Sequence, residues 1–421
     1  MENFDKFLSE LGELISFRSV QSEPENGMPF GKGVYNAYKC FMDKAESYGL
    51  QTINYDNYFG EVDYGDGEEI GIIGHLDVVP EGDGWNTDPY TLTEKDGVLY
   101  ARGILDDKAP LFICLYILKE LKEKGVKSNK KIRLFVGCHD ETGWKDVAHF
   151  TENHKFPEYG FSPDGNFPVS YAEKGVLVVT FKVPTLKKFK NVKGGSVVNA
   201  VCGRATAEAT GKINLELIKK HGLNVNGNVI ESIGKSCHGS RPDLGVNAFK
   251  ALFEYFKDEG EDVGNVVDYL FNDKGNVSKM VNEQGDITFS PDLAEEKDGY
   301  IYFTCDCRIP APFTEKDATA IFDTFGIEYT AAQKHEPVCV DKDGDFVQTL
   351  LKAYNDITGS NEKPLSQCGS TFARVFEKGC AFGPEFPGEK STIHEANECC
   401  TVEQLKTLYG IYYKTITSLI K

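Results

Sequence analysis

The sequence has no apolar run near the roughly 20 residues that a membrane-spanning helix needs, no internal repeat and no low-complexity tract. Positive charge is scarce. Lys and Arg number 46 against 65 Asp and Glu, a formal net charge of -19, which argues against nucleic acid and anionic membrane surfaces as partners. None of the 12 cysteines forms a C-x-x-C pair; the closest are Cys305 and Cys307, and the neighbours Cys399 and Cys400. A zinc-ribbon or disulfide framework is therefore not expected, and the thiols read as small buried hydrophobes in a reducing compartment. The opening "MENFDKFLSELGELISF" is acidic and broken by charge, unlike a secretory signal. It reads as an amphipathic helix, with Phe4, Phe7, Leu8, Leu11, Leu14 and Ile15 on one side. A cytoplasmic protein is expected.

What is present is a 421-residue chain, 40% hydrophobic, long enough for two or three domains. In the first third, strand and helix signals alternate: "EIGIIGHLD", then "DKAPLFICLYILKELKEKG", then "KKIRLFVGC". This rhythm predicts an α/β fold with a mixed sheet under helices, whose ligands gather at the carboxyl ends of the strands. The middle reads as a smaller α+β unit, with strand-like "GVLVVTFKVPT", "GKINLELIKK", "NVIESIGKS" and "GYIYFTCDCRIP" around the helical "GVNAFKALFEYFKDEG". Helical pattern resumes with "GDFVQTLLKAYNDITG". The expected organisation is a discontinuous catalytic domain, 1–174 and 340–421, interrupted by an insert at 175–339.

Candidate ligands fall where strands end. "GHLDVVP" places His75 and Asp77 two apart on extended chain, facing one side. "GILDDK" brings Asp106 and Asp107 to a helix start. "CHDE" lines up His139, Asp140 and Glu141 after a strand. "FSPDGNFP" holds Asp164, and "STIHEANE" holds His394. Any one of these acids is more often a cap or a solvated side chain. Together they supply imidazole and carboxylate donors, which suit zinc or manganese. Two divalent cations bring four positive charges. Asp106, Glu141, Asp164 and a bridging hydroxide balance them, as a partly buried cleft requires.

Taken in order, "GHLDVVPEGDGW", "YARGILDDKAP", "DETGWKD", "YGFSPDGNFP", "GKSCHGSRPDLGVNA", "STFAR" and "FGPEFPGEKSTIHEANE" resemble the PepV-type dipeptidases of the ArgE/DapE, aminoacylase and carboxypeptidase metallohydrolase family. The resemblance runs nearly end to end. It implies a zinc-peptidase-like catalytic domain with an inserted lid. It also implies two divalent metals, zinc first with manganese or cobalt as alternatives, a small peptide substrate, and a monomer. It makes His75, Asp106, Glu141, Asp164 and His394 the metal ligands, with Asp106 bridging and Asp77 orienting His75. His238 becomes the lid histidine that polarises the scissile carbonyl. Asn199 and Arg308 contact the substrate's carboxylate, and the loop with Gly369, Ser370 and Arg374 faces substrate. The Asp106–Asp107 peptide is expected to be cis.

Asp140 stands where the family usually has a glutamate as general base, so the acid here is one methylene shorter. Ile104 and Leu105 replace a small polar pair, and His139 replaces a common aspartate. The leading expectation is hydrolysis of dipeptides by a two-metal-bound hydroxide with a carboxylate base. The same machinery would serve an N-acyl-amino-acid deacylase or desuccinylase; the discriminating feature is whether the cleft accepts a free α-amine. A catalytically silent peptide- or metal-binding relative is the third reading, supported only by the shortened acid.

Overall fold

The computed structural model describes residues 3–421, which form two compact units. The first comprises the described residues up to Tyr171, with Val340–Leu365 and Thr371–Lys421. Its sheet runs in the order Gln51–Tyr55, Phe59–Tyr64, Lys130–Gly137, Glu68–His75, Tyr159–Ser162 and Lys378–Ala381. The last four strands are mutually parallel, and the first two pair antiparallel at the edge. The register sets His75 opposite Gly137, so adjacent strands end together. The six residues Ile70 to His75 are all buried, as expected of a strand covered on both faces. Gly71 and Gly160 permit this covering: the Phe376 ring lies where a Cβ would stand, 2.1 and 2.4 Å from its atoms.

Helix Lys108–Glu123 is buried from Lys108 through Leu121. It packs against the sheet and against helix Val402–Leu419. The latter opens on a capping box: the Thr401 hydroxyl accepts the Gln404 N–H at 3.0 Å, and the Gln404 side chain accepts the Thr401 N–H at 2.6 Å.

The second unit comprises Ala172–Cys339 and Ser366–Ser370. Its eight-stranded sheet is antiparallel throughout. Burial alternates along Gly175–Pro184, so one face is packed and the other partly open. On the packed side, Phe249, Phe253 and Phe256 of helix Ala248–Asp258 meet Phe189 and Phe303. One expected strand is different. In "GKINLELIKK", residues Leu215–Lys220 form a short helix, because the Asn214 side chain accepts the N–H groups of Glu216 and Leu217 and starts a turn. The apparent alternation there puts Ile218 inward and leaves Leu215 exposed.

All 12 cysteines are free thiols, and seven of them are buried.

Candidate metal centre

Each ligand candidate of the first unit sits at or just beyond the end of a parallel strand, or in a loop tied to one. His75 is the last residue of its strand. Its Nδ1 lies 2.9 Å from the backbone carbonyl of Asp77 and 3.4 Å from the Asp77 carboxylate. A carbonyl can only accept, so in the neutral ring Nδ1 carries the proton and Nε2 presents its lone pair. That nitrogen faces Asp106 Oδ1 at 3.0 Å, Asp164 Oδ2 at 3.7 Å and Asp140 Oδ2 at 3.9 Å.

The other oxygen of Asp106 faces His394 Nε2 at 2.8 Å, and His394 Nε2 also lies 3.2 Å from Glu141 Oε2. Asp106 thus stands between two imidazoles with one oxygen toward each. His75, Asp140 and Asp164 form one compact donor group, and His75, Asp106 and Glu141 another. The Asp106–Asp107 peptide bond is cis, as the resemblance implied.

Backbone amides hold this arrangement in place through a set of buried acids. Asp77 accepts the N–H of Asp140 at 3.1 Å and of Glu141 at 3.2 Å, one on each oxygen. Asp77, expected to orient His75 through its carboxylate, presents its carbonyl as the nearer acceptor at 2.9 Å and also bonds the next loop through its carboxylate. Asp107 accepts the His75 N–H at 3.2 Å. Asp146 accepts the N–H groups of Cys138 and His139. Glu398 accepts those of Gly103, Leu105 and Asp106, and pairs with the buried Arg102 at 2.6 Å. Sequence reading assigned none of these tasks to Asp107, Asp146 or Glu398, since an acid that serves amides leaves no spacing signal.

His139 is not among the donors. Its buried ring packs on Phe30 at 4.6 Å, and its Nε2 lies 2.5 Å from Gln21.

The electrostatics describe a site short of positive charge. Burial, with repulsion from Asp106, pushes Glu141 up to about 7. Burial raises Asp140 and Asp164 too, each further raised by neighbouring carboxylates. Burial would raise Asp106 as well, but the two imidazoles outweigh it and hold that acid far below its ordinary range. His75 and His394 are raised by the acids around them against the opposing effect of burial. Among the described residues, Asp140 Oδ1 and Glu141 Oε1 are buried atoms without a hydrogen-bond partner, and His75 Nε2 and Asp106 Oδ1 meet each other at 3.0 Å without an aligned hydrogen bond. Buried, unsatisfied imidazole and carboxylate donors crowded within 4.8 Å fit divalent cations.

The remaining candidates divide between the units. Arg374 belongs to the first unit, in the short turn Phe372–Val375. Asn199, His238, Arg308, Gly369 and Ser370 belong to the second. There Asn199 and His238 are neighbours: the Asn199 carbonyl accepts the Gly239 N–H at 2.7 Å, and Ala200 bridges to His238. The Ser240 N–H donates to His238 Nδ1 at 3.1 Å, which leaves the proton of the neutral ring on Nε2. Arg308 is gripped along its Nε and Nη2 edge by Asp306, at 2.9 to 3.1 Å.

With this geometry in hand, comparison with known proteins is decisive. The profile described as Peptidase family M20/M25/M40 matches residues 71–418. The chain belongs to this family. The M20 chain is thus a metallopeptidase, a hydrolase. It is 30% identical over 460 residues to a Beta-Ala-Xaa dipeptidase of Lactobacillus delbrueckii subsp. lactis, with 99% of this chain and 96% of that protein covered. It is 29% identical over 454 residues to YtjP of Bacillus subtilis strain 168, with 99% and 98% covered. Among solved structures, human carnosine dipeptidase 1 shares the fold with a TM-score of 0.61 at 15% identity, covering 98% of this chain and 96% of that one. The mixed α/β architecture is that of M20 peptidases. No helix of the described residues is long and apolar enough to cross a membrane.

Proposed function

We propose that the M20 chain hydrolyses dipeptides with two divalent metal ions. The observation that carries this reading is Asp106, with one oxygen toward His75 and the other toward His394. His75 and Asp164 would hold one ion, Glu141 and His394 the other, and Asp106 both. When bound, such ions polarise a carbonyl oxygen and bring the pKa of water to about 7. Zinc suits the mixed nitrogen and oxygen donors best, with manganese or cobalt as alternatives.

The chain's own residues would do the rest. Asp140, its backbone fixed by Asp77, takes the proton from the attacking water and delivers it to the leaving amine. His238, with its proton on Nε2, donates to the oxygen on which negative charge develops. Asn199 and Arg308 hold the substrate's C-terminal carboxylate, assisted by the loop at Gly369, Ser370 and Arg374. Asp306 occupies one edge of the Arg308 guanidinium and leaves its Nη1 side, toward the Cys368 carbonyl at 3.5 Å, for a further acceptor. The unit that spans Ala172–Cys339 acts as a lid over short substrates. We place the enzyme in the cytoplasm, as a monomer.

The deciding experiment is a steady-state screen of dipeptides and N-acyl amino acids, with zinc, manganese and cobalt added separately to metal-stripped protein. Dipeptides should turn over and N-acyl amino acids should not. The opposite result replaces this reading with deacylation, and no turnover under any condition leaves a silent binder.

A further inference from the structure

A dipeptide differs from an N-acyl amino acid by one group, an ammonium on the α-carbon next to the scissile carbonyl. Bringing that cation beside two dications requires a carboxylate not already committed to metal or backbone. On the proposed roles, Asp106, Glu141 and Asp164 are ligands and Asp140 is the base. Asp77, Asp107, Asp146 and Glu398 each accept backbone N–H groups.

Glu385 is placed differently. It lies on the short strand Pro384–Glu385, which pairs in parallel with Gly165–Asn166, immediately after Asp164. Its backbone carbonyl accepts the Phe167 N–H at 2.8 Å, which anchors it beside that ligand. Its half-buried side chain lies close to Ser391 and within electrostatic reach of Asp106, Asp164 and His394. It lines a cavity of about 280 Å³ that also reaches Leu105, adjacent to Asp106, and Thr392, two residues before His394. Phe386, Leu405 and Leu408 give the same cavity an apolar wall.

We propose that Glu385 receives the substrate's α-ammonium and that the adjoining cavity takes the N-terminal side chain, a compact aliphatic one. The inference rests on the dipeptidase reading and deepens it: Glu385 makes the centre select free-amine dipeptides over N-acyl amino acids. Unlike those four acids, its side chain accepts no backbone N–H from the described residues, so it can turn to a cation without breaking a backbone contact. Of the cavity's other charged residues, Glu389 accepts from the Gln404 side chain and Lys390 pairs with Glu395, so Glu385 is the acid left to meet a charged nitrogen beside the apolar wall.

The test compares wild type with Glu385→Gln on alanylalanine and on propionylalanine, the same skeleton without the amine. A calorimetric titration of each metal-loaded protein with alaninamide runs alongside. Losing a charged hydrogen-bond partner costs about ten- to a hundredfold. The preference of wild type for alanylalanine should fall by that factor in Glu385→Gln, mainly through KM. Alaninamide affinity should fall alongside it, with metal content as in wild type. An undiminished preference overturns the inference. So does loss of metal, which would make Glu385 part of the ligand set. If wild type hydrolyses neither compound, the dipeptidase reading fails on its own, and equal alaninamide affinity in the two proteins separately overturns the role of Glu385.

Discussion

Asp77 accepts the backbone N–H of Asp140 at 3.1 Å. Its second oxygen accepts that of Glu141 at 3.2 Å, so one carboxylate fixes the acid assigned to proton transfer and the acid assigned to metal. Asp77→Asn keeps the shape but turns an NH2 group toward one of those amides. Metal affinity should fall about 10- to 100-fold, the usual scale for losing an outer partner of a metal site, and kcat should fall with it. A competition titration against a chromogenic chelator measures the first. Unchanged affinity would mean that the loop holds its shape without Asp77.

The neighbours Asp140 and Glu141 should separate cleanly. Asp140→Ala should keep both metals and lose most activity, whereas Glu141→Ala should lose one metal, as counted by atomic emission. Asp140→Glu restores the length usual in the family, and activity should hold or rise. A collapse would show that the cleft has adapted to the shorter acid, because a displacement of about 1 Å can cost about a hundredfold in rate. Full activity in Asp140→Ala would move the base elsewhere.

For the second unit the expected split is kinetic. His238→Ala should lower kcat by about 10²–10³, the scale of one lost donor to a developing oxyanion, with metal content intact. Arg308→Ala should mainly raise KM for substrates with a free C-terminal carboxylate, because that contact exists in ground and transition states alike. Metal loss in His238→Ala would make it a ligand and end its assignment as donor.

The Arg102–Glu398 pair is buried, and Glu398 also serves three amides. Removing Arg102 leaves an uncompensated buried charge, so Arg102→Ala should destabilise the protein by about 3–5 kcal/mol. Urea unfolding of the metal-free protein measures this without reference to catalysis. A loss below about 1 kcal/mol would mean that water or a proton replaces the arginine.

Asp292, in the second unit, gives a pH test at a residue that is none of the proposed metal ligands. It is fully buried, takes a 2.5 Å hydrogen bond from Ser290, and burial pushes it up to about 8. The unfolded side chain titrates near 3.9. Between those values the native state holds a proton that the unfolded chain has lost. The group's stabilising contribution is therefore full below about pH 4 and lost as pH rises through about 8. Asp292→Asn stays neutral, so its stability should fall less steeply from about pH 5 to about pH 7, by up to about 1.4 kcal/mol per unit. Equal slopes in urea unfolding would show that Asp292 is ionised in the native state.

The sequence disclosed the ligand candidates because chemistry and fold coincide there. His75, Asp140, Glu141 and Asp164 follow apolar strands, and a polar cluster after an apolar run is visible in one dimension. Glu398, Asp107 and Asp146 were not legible in the same way. Their partners are amides, which every residue carries, so identity and spacing reveal nothing about whom they serve. His75 shows the same limit: sequence could place Asp77 beside it but could not say that the carbonyl, rather than the carboxylate, would be the nearer acceptor. In Leu215–Lys220, apolar alternation suggested a strand, and one Asn214 cap decided for a helix.

The clamp from Glu398 onto the Gly103–Asp106 loop also orders events during synthesis. A nascent chain that has made its parallel strands already carries His75, Asp106, Glu141 and Asp164. It lacks the second imidazole, His394, and the acid that shapes the loop bearing Asp106. Domains form as the chain emerges, amino end first, but on the proposed roles this centre cannot close until the segment bearing His394 and Glu398 is free. On those roles a chain that has not yet exposed His394 stays inert, however complete its parallel sheet.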